Sequence, residues 1–285
     1  MLLNGVAHMP EKVALLTGCS SGFGLLSSIA MAKVGFRVVA TMRDLSRRQR
    51  LDQAASSTGA ALDVRALDVT KFESLPALVD EIIRDYGTID VLINNAGFAV
   101  GGFAEDIKLE ELRRQFDTNF FGAVAMTKAV LPAMRRQHSG HIIMISSIAG
   151  LLGSFTVSSY SASKHALEGW SESLRLEVNS LGIKVVLVEP GAFQTGIWTS
   201  AVMGENATRE TSPNIQRSLR MRDRIRTLPK RDPMEVVRKI VAIAQNPDPK
   251  LRYVIGRDAK IQLALKRILP WKWNEKIVAS FLKVD

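Results

Sequence analysis

The segment "VALLTGCSSGFG", residues 13–24, joins a short apolar run to a glycine-rich turn and a helix-forming stretch. Its glycines, Gly18, Gly22 and Gly24, have the spacing G-x-x-x-G-x-G. Because a glycine has no side chain, it allows a tight turn and lets the backbone approach a diphosphate. The N-terminus of the helix adds free N–H groups and the positive end of the helix dipole. The segment predicts a dinucleotide-binding strand–turn–helix; an ordinary Gly/Ser turn is the less favoured interpretation.

Short apolar runs alternate with helix-length segments along the rest of the chain. Strands are predicted at 13–17, 37–42, 64–69, 89–95, 141–146, 184–189 and 252–256. Helices are predicted from the glycine turn through 34, and at 45–57, 72–86, 109–136, 157–181 and 234–245. This alternation implies parallel strands, and continuous apolar strands are typical of a sheet buried on both faces. We therefore predict an α/β fold with a doubly wound parallel sheet of Rossmann type, about seven strands and helices on both faces.

The chain shows no linker, repeat or low-complexity segment, and its apolar content of 46% is sufficient for a full core. We predict one Rossmann-type domain over residues 1–285. It would include an irregular excursion at 192–232 and an amphipathic C-terminal tail at 258–285.

Composition argues against several classes of protein. No run of about 18 apolar residues is present, so no membrane-spanning helix is expected. The start, "MLLNGVAHMPEK", lacks the basic and apolar regions of a signal peptide. Cys19 is the only cysteine, so a disulfide within the chain is impossible, which favours a reducing cytoplasm.

The net charge of +10 is concentrated in places, with eight basic residues against two acids between Ala207 and Arg231. No zinc-finger pattern or aromatic RNA-binding signature accompanies this charge, so no nucleic-acid partner is expected. No metal is expected either, because no metal-ligand grouping is formed by the histidines His138, His141 and His165.

The end of the second predicted strand bears on the choice of cofactor. An acid at this position accepts a hydrogen bond from the ribose 2′-hydroxyl of NAD, whereas an arginine accommodates the 2′-phosphate of NADP. Here Met42 stands where the acid is expected, and Arg43 follows it. This favours NADP(H) over NAD(H). Asp44 keeps NAD open, and a solvated helix face is an alternative interpretation of Arg47, Arg48 and Arg50.

The stretch "YSASK" places Tyr160 and Lys164 four residues apart, and hence on the same side of a predicted helix. A cation beside a phenol favours the phenolate, so we expect the pKa of Tyr160 to be lowered. Such a tyrosine can exchange a proton near neutral pH. The spacing alone is also compatible with an ordinary surface pair.

Together these features resemble the short-chain dehydrogenase/reductase family. The likeness extends from Lys12 to Trp198 and is weaker through Gly256. Its motifs occur in the family order: "TGCSSGFG" (17–24), "LDVT" (67–70), "NNAG" (94–97), Asn119 in "FDTNFFG", "ISS" (145–147) before "YSASK" (160–164), and "PGAFQT" (190–195). Ser147 lies thirteen residues before Tyr160, a spacing that fits the family serine better than Ser146 does.

The resemblance implies catalytic roles for four residues. Tyr160 would be the general acid or base, and Ser147 would stabilise charge on the substrate oxygen. Lys164 would lower the tyrosine pKa and bind the nicotinamide ribose, and Asn119 would hold a water molecule that reconnects Lys164 to solvent. The residues implied in cofactor binding are Gly18, Ser20, Ser21, Gly22, Phe23, Gly24, Arg43, Asp68, Val69, Asn95, Ala96, Gly97, Tyr160, Lys164, Pro190, Gly191 and Thr195.

Structural interpretations remain open for some of these residues. Ser147 can be a strand-end serine, Asn119 a packing amide, and Thr195 a helix N-cap rather than a ligand of the carboxamide. Even within the family, Asn94, Asn95 and Gly97 are expected to hold local turn geometry rather than to touch the substrate.

The resemblance implies an NADP(H)-dependent oxidoreductase that interconverts a ketone or aldehyde and an alcohol by hydride transfer. "ATMRDL" (40–45) and the basic tail favour the branch of 17-beta-hydroxysteroid and retinol dehydrogenases. The alternatives are a 3-oxoacyl-thioester reductase and a non-catalytic NADP(H)-sensing regulator. The expected partners are a small carbonyl or alcohol substrate and further copies of the chain in a homo-oligomer.

The resemblance also implies that the excursion at 192–232 is the substrate lid of a single oxidoreductase domain. This lid and the tail each have more than one interpretation. In the lid, the apolar side of a solvated helix would comprise Ile215, Leu219 and Ile225; a basic mouth for an acidic substrate is less favoured. The tail has helical apolar spacing interrupted by Pro270. We expect it to pack on the protein itself rather than on a membrane surface or another subunit. Its apolar residues are Ile261, Leu265, Ile268, Leu269, Trp271, Trp273, Ile277, Phe281 and Leu282.

Overall fold

A seven-stranded parallel sheet forms the centre of the molecule. The computed structural model describes residues 11–195, 197, 202–227 and 231–282. The sheet has the order β3-β2-β1-β4-β6-β7-β9. Its strands are β1 (Val13–Leu16), β2 (Arg37–Met42), β3 (Leu62–Ala66), β4 (Val91–Asn94), β6 (Gly140–Ile145), β7 (Ile183–Pro190) and β9 (Arg252–Ile255). A separate two-stranded parallel pair is formed by β5 (Val100–Gly101) and β8 (Val202–Met203). The predicted doubly wound Rossmann-type sheet is confirmed.

Helices follow most of the strands. They are α1 (Gly22–Lys33), α2 (Gln49–Thr58), α3 (Leu75–Tyr86), α4 (Leu109–Phe116), α5 (Gly122–Gln137), α6 (Ser158–Val178), α7 (Ile215–Thr227), α8 (Met234–Gln245), α9 (Arg257–Ile268) and α10 (Trp271–Leu282). The predicted helix at 234–245 has the observed bounds. The predicted helices at 45–57 and 72–86 instead begin with a 3₁₀ turn before α2 and α3.

Apolar side chains fill both faces of the sheet, which explains why the strands have no polar face. On one face, β1, β4 and β6 pack against α3, α5 and α6, with Leu15, Leu92 and Met126 at the centre. On the other face, the same strands pack against α1, α2 and α8, around Leu16 and Ile240. Residues that alternate along β1 therefore belong to opposite layers of one core.

Two sequence predictions about element bounds are wrong. The third strand was predicted at 64–69, but β3 ends at Ala66, so Asp68 and Val69 lie in the turn beyond it. The helix predicted at 109–136 is interrupted between α4 and α5 by one turn of π-helix, Asp117–Phe121. Such turns insert a residue into the helical ladder, and periodicity of apolar residues does not reveal them.

The lid and the tail contain the last helices. In α7 the buried residues are Ser218 and Met221, while Ile215 and Leu219 are half-buried, so the predicted apolar side is only partly correct. The tail is divided into α9 and α10 at Pro270, as the sequence predicts. No helix among the described residues is both long and apolar enough to cross a bilayer. The start of the chain, Trp198, and the side chains of Ile225, Phe281 and Leu282 lie outside the described residues.

Candidate active site

A cleft of about 830 Å³ opens at the carboxyl ends of β1, β2, β3, β4, β6 and β7. This is the edge at which doubly wound sheets bind their ligands. All but two of the sequence-predicted site residues line it, among them Ser147, Tyr160 and Lys164. The exceptions are Gly24 and Asn119, which lie behind the lining and support it.

The glycine turn brings the backbone close to the strand next to it. Gly18 has a φ of +73°, and a Cβ at this position would lie 2.8 Å from the Cα of Ala96. A Cβ on Gly24 would lie 2.4 Å from the carbonyl oxygen of Gly18. Helix α1 then begins at Gly22, with no acid in its first turn and no side-chain cap from Ser21. The N–H groups of this helix therefore suit an anionic diphosphate.

Cys19 in this turn is fully buried, and burial raises the pKa of its thiol to about 11. A thiol of this kind stays protonated and unreactive near neutral pH.

The segment "NNAG" holds the glycine turn in place. The Asn95 side chain donates to the carbonyl oxygens of Thr17 and Gly18, at 2.9 and 3.0 Å. The Thr17 hydroxyl oxygen accepts hydrogen bonds from the backbone N–H groups of Asn95 and Ala96, at 3.0 Å each. Sequence reasoning missed Thr17, because its role depends on the pairing of β1 with β4.

At the end of the cleft that lies beside β2 and β3, the lining includes two arginines, Arg43 and Arg47, and two acids, Asp44 and Asp68. The Asp44 carboxylate accepts from the N–H and hydroxyl of Ser46, at 2.9 and 2.6 Å, and these bonds lower its pKa. Arg43 and Arg47 both line the cleft, so Arg47 is more than part of a solvated helix face. Arg48, in contrast, pairs with Asp52 on α2 at 2.8 Å.

Asp68 also lines this part of the cleft. Its carboxylate accepts from the Thr70 N–H and hydroxyl, at 3.0 and 2.7 Å. Burial opposes its charge, but these hydrogen bonds and the charges of Arg43 and Lys71 together outweigh burial and lower the pKa of Asp68. The carboxylate therefore stays ionised beside the two arginines.

Tyr160 and Lys164 face the same part of the cleft from α6, opposite Ser147 at the end of β6. The Lys164 ammonium donates to the carbonyl oxygen of Ile145 at 2.7 Å and lies 5.8 Å from the centre of the Tyr160 ring. Burial lowers the pKa of Lys164 to about 8, against the opposing charge of Glu168.

The expected lowering of the tyrosine pKa is wrong for this structure. Burial raises the pKa of Tyr160 to about 12, and a hydrogen bond with Ser147 opposes the rise only in part. Tyr160 is almost fully enclosed, so a phenolate there would lose its hydration. The nearby Lys164 ammonium does not compensate for that loss. Tyr160 is therefore a neutral phenol across the physiological pH range.

Asn119 lies in the π-helical turn and ties two segments together. Its side-chain oxygen accepts from the N–H of Phe98 at 3.0 Å, and its amide nitrogen donates to the Phe98 carbonyl oxygen at 2.9 Å. The same nitrogen donates to the Ser163 hydroxyl at 3.2 Å. The packing role left open by the sequence is therefore present.

Apolar side chains form another wall of the cleft, of which the sequence analysis singled out only Phe23. Phe193 packs edge-on against Phe23, with the ring centroids 6.1 Å apart. Phe98, Ile197 and Val202 continue this wall. The apolar character of each residue was visible, but only the fold brings the lid beside β4.

A buried acid cluster lies behind Lys164 and was also missed. Glu168 follows Lys164 by one helical turn, and the Arg252 guanidinium bonds Glu168 and also Glu189, the latter at 2.5 Å. Burial, reinforced by the charge of Glu168, raises the pKa of Glu189 to about 7. At the rim, Arg252 also bonds Glu172 at 2.6 Å. Among the described residues, no group of three or more His, Cys, Asp or Glu side chains could hold a metal ion.

Residues 12–206 match the family model described as short chain dehydrogenase. The chain is 39% identical to the uncharacterized oxidoreductase YusZ of Bacillus subtilis, over 96% of this chain and 99% of that protein. It is 45% identical to human retinol dehydrogenase 8, over 67% of this chain and 61% of that protein. With mouse 17-beta-hydroxysteroid dehydrogenase type 1 the identity is 34%, over 86% of this chain and 74% of that protein.

Solved structures share the architecture. A short-chain dehydrogenase from Streptomyces avermitilis superposes with a TM-score of 0.79 at 33% identity, covering 96% of this chain and 97% of that one. A Burkholderia phymatum enzyme in complex with NAD gives 0.77 at 25% identity, with coverages of 90% and 93%. A metagenomic oxidoreductase in complex with NADP gives 0.67 at 25% identity, with coverages of 86% and 95%. These neighbours support a nicotinamide cofactor of either kind.

Proposed function

Because the chain belongs to the short-chain dehydrogenase family, in its hydroxysteroid- and retinol-dehydrogenase-like branch, we propose that it interconverts a carbonyl compound and an alcohol with NADP(H). The observation that carries this proposal is the meeting of Ser147, Tyr160 and Lys164 in the cleft that the glycine turn also lines. A protein that only senses the cofactor needs the turn but not these three side chains, which argues against the regulator alternative.

The cleft fits the group it would hold. The close approaches at Gly18 and Gly24 leave backbone where a side chain would obstruct a diphosphate, and the first turn of α1 faces it with N–H groups. The bound nicotinamide would supply or accept the hydride.

The residues of the chain would manage the charge and the proton. During reduction, negative charge grows on the substrate oxygen, where the Ser147 and Tyr160 hydroxyls can donate hydrogen bonds. Tyr160 then gives its proton to that oxygen as a general acid, which its raised pKa keeps available. The Lys164 ammonium, 5.8 Å from the ring centre, stabilises the phenolate that remains. In alcohol oxidation the same proton moves in reverse.

The NADP(H) preference rests on Arg43 and Arg47. Both line the cleft, and a guanidinium can bind a phosphate through paired N–H groups. Asp44 is the residue that would favour NAD(H), but its carboxylate is engaged by Ser46. Because Asp44 is bonded to Ser46 in this way, Arg43 and Arg47 are the groups available to a 2′-phosphate.

The apolar wall favours an apolar carbonyl substrate. Phe193, Ile197 and Val202 offer no charged group to a ligand, and burial of an apolar substrate against them is favourable. The alternative of a 3-oxoacyl thioester draws on the arginine-rich helix α7. We also propose a cytoplasmic location, because the chain has a single cysteine. We propose a homo-oligomeric state because oligomers are common in this family.

The proposal is tested by measuring NADPH oxidation with ketones, aldehydes, steroids and acyl thioesters. Tyr160→Phe should reduce turnover by at least about 100-fold, because the proton donor is lost, and should leave NADPH binding intact. Tyr253→Phe is the matched control, since its hydroxyl accepts from the Lys250 N–H outside the cleft. Normal turnover in Tyr160→Phe would refute the acid role.

A further inference from the structure

The tail exposes an apolar surface that nothing else in the described chain covers. Among the described residues, five of the twelve exposed large apolar side chains lie in α9 and α10, although these helices are a small part of the molecule. Their exposed fractions run from 41% to 78%. We call this set the tail patch: Ile261, Ile268, Trp271, Trp273 and Ile277. The expectation that the tail buries its apolar residues on the protein body is therefore wrong for these five.

The tail patch is held in shape by contacts within the tail. The Asn274 side chain donates to the Leu269 carbonyl oxygen at 3.0 Å, which fixes the start of α10 against the end of α9. The Trp271 indole N–H donates to Glu275 at 2.7 Å. Ile261 and Ile268 are two helical turns apart, so they lie on one side of α9. Trp273 and Ile277 are one turn apart on α10 and also share a side.

Positive charge surrounds the tail patch. From Arg257 to Leu282 the chain carries six basic residues and two acids. The two acids are engaged, since Asp258 accepts from the Ala192 N–H at 3.1 Å and Glu275 accepts from Trp271. The basic residues are Arg257, Lys260, Lys266, Arg267, Lys272 and Lys276, all exposed.

We infer that the tail patch docks on the surface of an anionic lipid membrane. Tryptophan, with its apolar ring and polar N–H, is favoured at the boundary between lipid and water, and flanking lysines are attracted to anionic headgroups. The helices lie on such a surface rather than cross it, in agreement with their length and charge.

A second copy of the chain is the competing occupant, and the charge argues against it. In a twofold interface the same surface meets itself, so the basic residues of one tail would face those of the other. Like charges brought together in this way oppose association, whereas anionic lipid neutralises them.

Docking would also place the site close to lipid. The Lys266 ammonium donates to the carbonyl oxygen of Leu151, four residues beyond Ser147. The tail therefore contacts the loop that follows β6 and contains Ser147. An apolar substrate could then reach the site from the membrane. This consequence rests on the proposed function, whereas the docking itself does not.

Co-sedimentation of the full chain with lipid vesicles tests the docking without any measurement of turnover. Vesicles of phosphatidylcholine with phosphatidylglycerol should sediment most of the protein at low salt, and much less at high salt, because salt screens the attraction. Vesicles of phosphatidylcholine alone should sediment little. No sedimentation with the anionic vesicles, or equal sedimentation with both kinds, would overturn the inference.

Variants then locate the surface. Trp271→Ser with Trp273→Ser should reduce the bound fraction at least fivefold, roughly the loss expected for two interfacial aromatic side chains. Leu176→Ser is the matched control, because Leu176 is 84% exposed on α6, outside the tail. Lys272→Gln with Lys276→Gln should also weaken binding, unlike Lys33→Gln with Lys128→Gln. Circular dichroism checks that each variant is folded.

The mass of the protein in solution, measured by light scattering, distinguishes membrane docking from an interface with a second copy of the chain. If the tryptophan variant turned an oligomer into a monomer, the tail patch would be a subunit interface and the membrane inference would fall. An unchanged mass together with lost vesicle binding supports it.

Discussion

At the scale of single residues, Tyr160 and Lys164 are both destabilised in their charged forms by burial. The pKa of Tyr160 rises to about 12 and that of Lys164 falls to about 8, since one is charged when deprotonated and the other when protonated. In the reduction direction this is useful, because the tyrosine keeps its proton until the substrate oxygen becomes more basic than the phenolate. The lysine, not the tyrosine, is then the group that titrates near physiological pH.

The pH profile of carbonyl reduction should therefore break near pH 8. Below this pKa Lys164 is an ammonium and stabilises the phenolate formed when Tyr160 donates its proton; above it that charge is lost and kcat/KM falls. Glu168→Gln should move the break to lower pH, because the Glu168 carboxylate raises the pKa of Lys164. Glu172→Gln is the control, since it also removes a carboxylate from Arg252. A break that stays in place in Glu168→Gln would contradict this assignment.

Arg43→Ala should weaken NADPH binding by about 10- to 100-fold, the range expected for lost charge-assisted hydrogen bonds. NADH binding should change little, because NADH lacks the 2′-phosphate. The dissociation constants are measured by fluorescence titration. Arg48→Ala serves as the control, because Arg48 lies on the adjoining turn and pairs with Asp52. An unchanged ratio of the NADPH and NADH constants in Arg43→Ala would argue for another 2′-phosphate ligand.

The sequence could predict site residues that lie in motifs, because a motif combines residue type with a fixed spacing. Tyr160, Lys164 and Ser147 belong to this class. Arg252 lies outside these motifs, and Thr17, although it begins the motif "TGCSSGFG", has a role that the motif alone does not specify. Their roles depend on which strand ends and helix faces become neighbours, and a single sequence does not specify those distances.

At the scale of elements, the glycine turn and α1 form a unit whose geometry depends on backbone contact. Gly24→Ala would place a Cβ 2.4 Å from the Gly18 carbonyl oxygen and 2.5 Å from the Asn95 amide nitrogen. We expect a loss of about 1–3 kcal/mol in the free energy of unfolding, from overpacking, and weaker NADPH binding as the turn opens. Thermal unfolding and cofactor titration measure the two effects.

Gly169→Ala is the control for this prediction. Gly169 lies in the interior of α6, where a Cβ meets nothing within 4 Å. The substitution should stabilise the fold by up to about 1 kcal/mol through helix propensity and leave cofactor binding unchanged. Equal effects of the two substitutions would show that the close contact at Gly24 is unimportant.

The presence of helices and strands was easier to predict from the sequence than a break within a helix. The strand at 37–42 and the helix at 234–245 were predicted with the observed bounds, because apolar periodicity is strong there. The π-helical turn was not, since the pattern of apolar residues continues through it. It is stabilised by tertiary contacts such as those of Asn119 with Phe98, which no local pattern encodes.

At the scale of the whole molecule, the alternation of strands and helices was sufficient to predict the layers and the parallel sheet. The lid and the tail were less predictable. Their apolar residues follow helical spacing, but spacing does not show whether a face is covered. The structure shows that Met221 of the lid is buried and that Trp273 of the tail is exposed.

The cofactor cleft joins distant parts of the chain, so a bound cofactor should stabilise the whole molecule. Its walls come from the ends of six strands, from Gly18 after β1 to Gly191 after β7. NADPH at about 100 times its dissociation constant should add about 2.7 kcal/mol to the free energy of unfolding. At the same concentration NADH should raise Tm less, because the proposed preference for NADP(H) makes its binding weaker. Tyr160→Phe should keep the NADPH shift, whereas Gly24→Ala should lose most of it. A single transition that moves as a unit is expected in calorimetry; a shift of only one of two transitions would mean that the cleft belongs to one part of the chain.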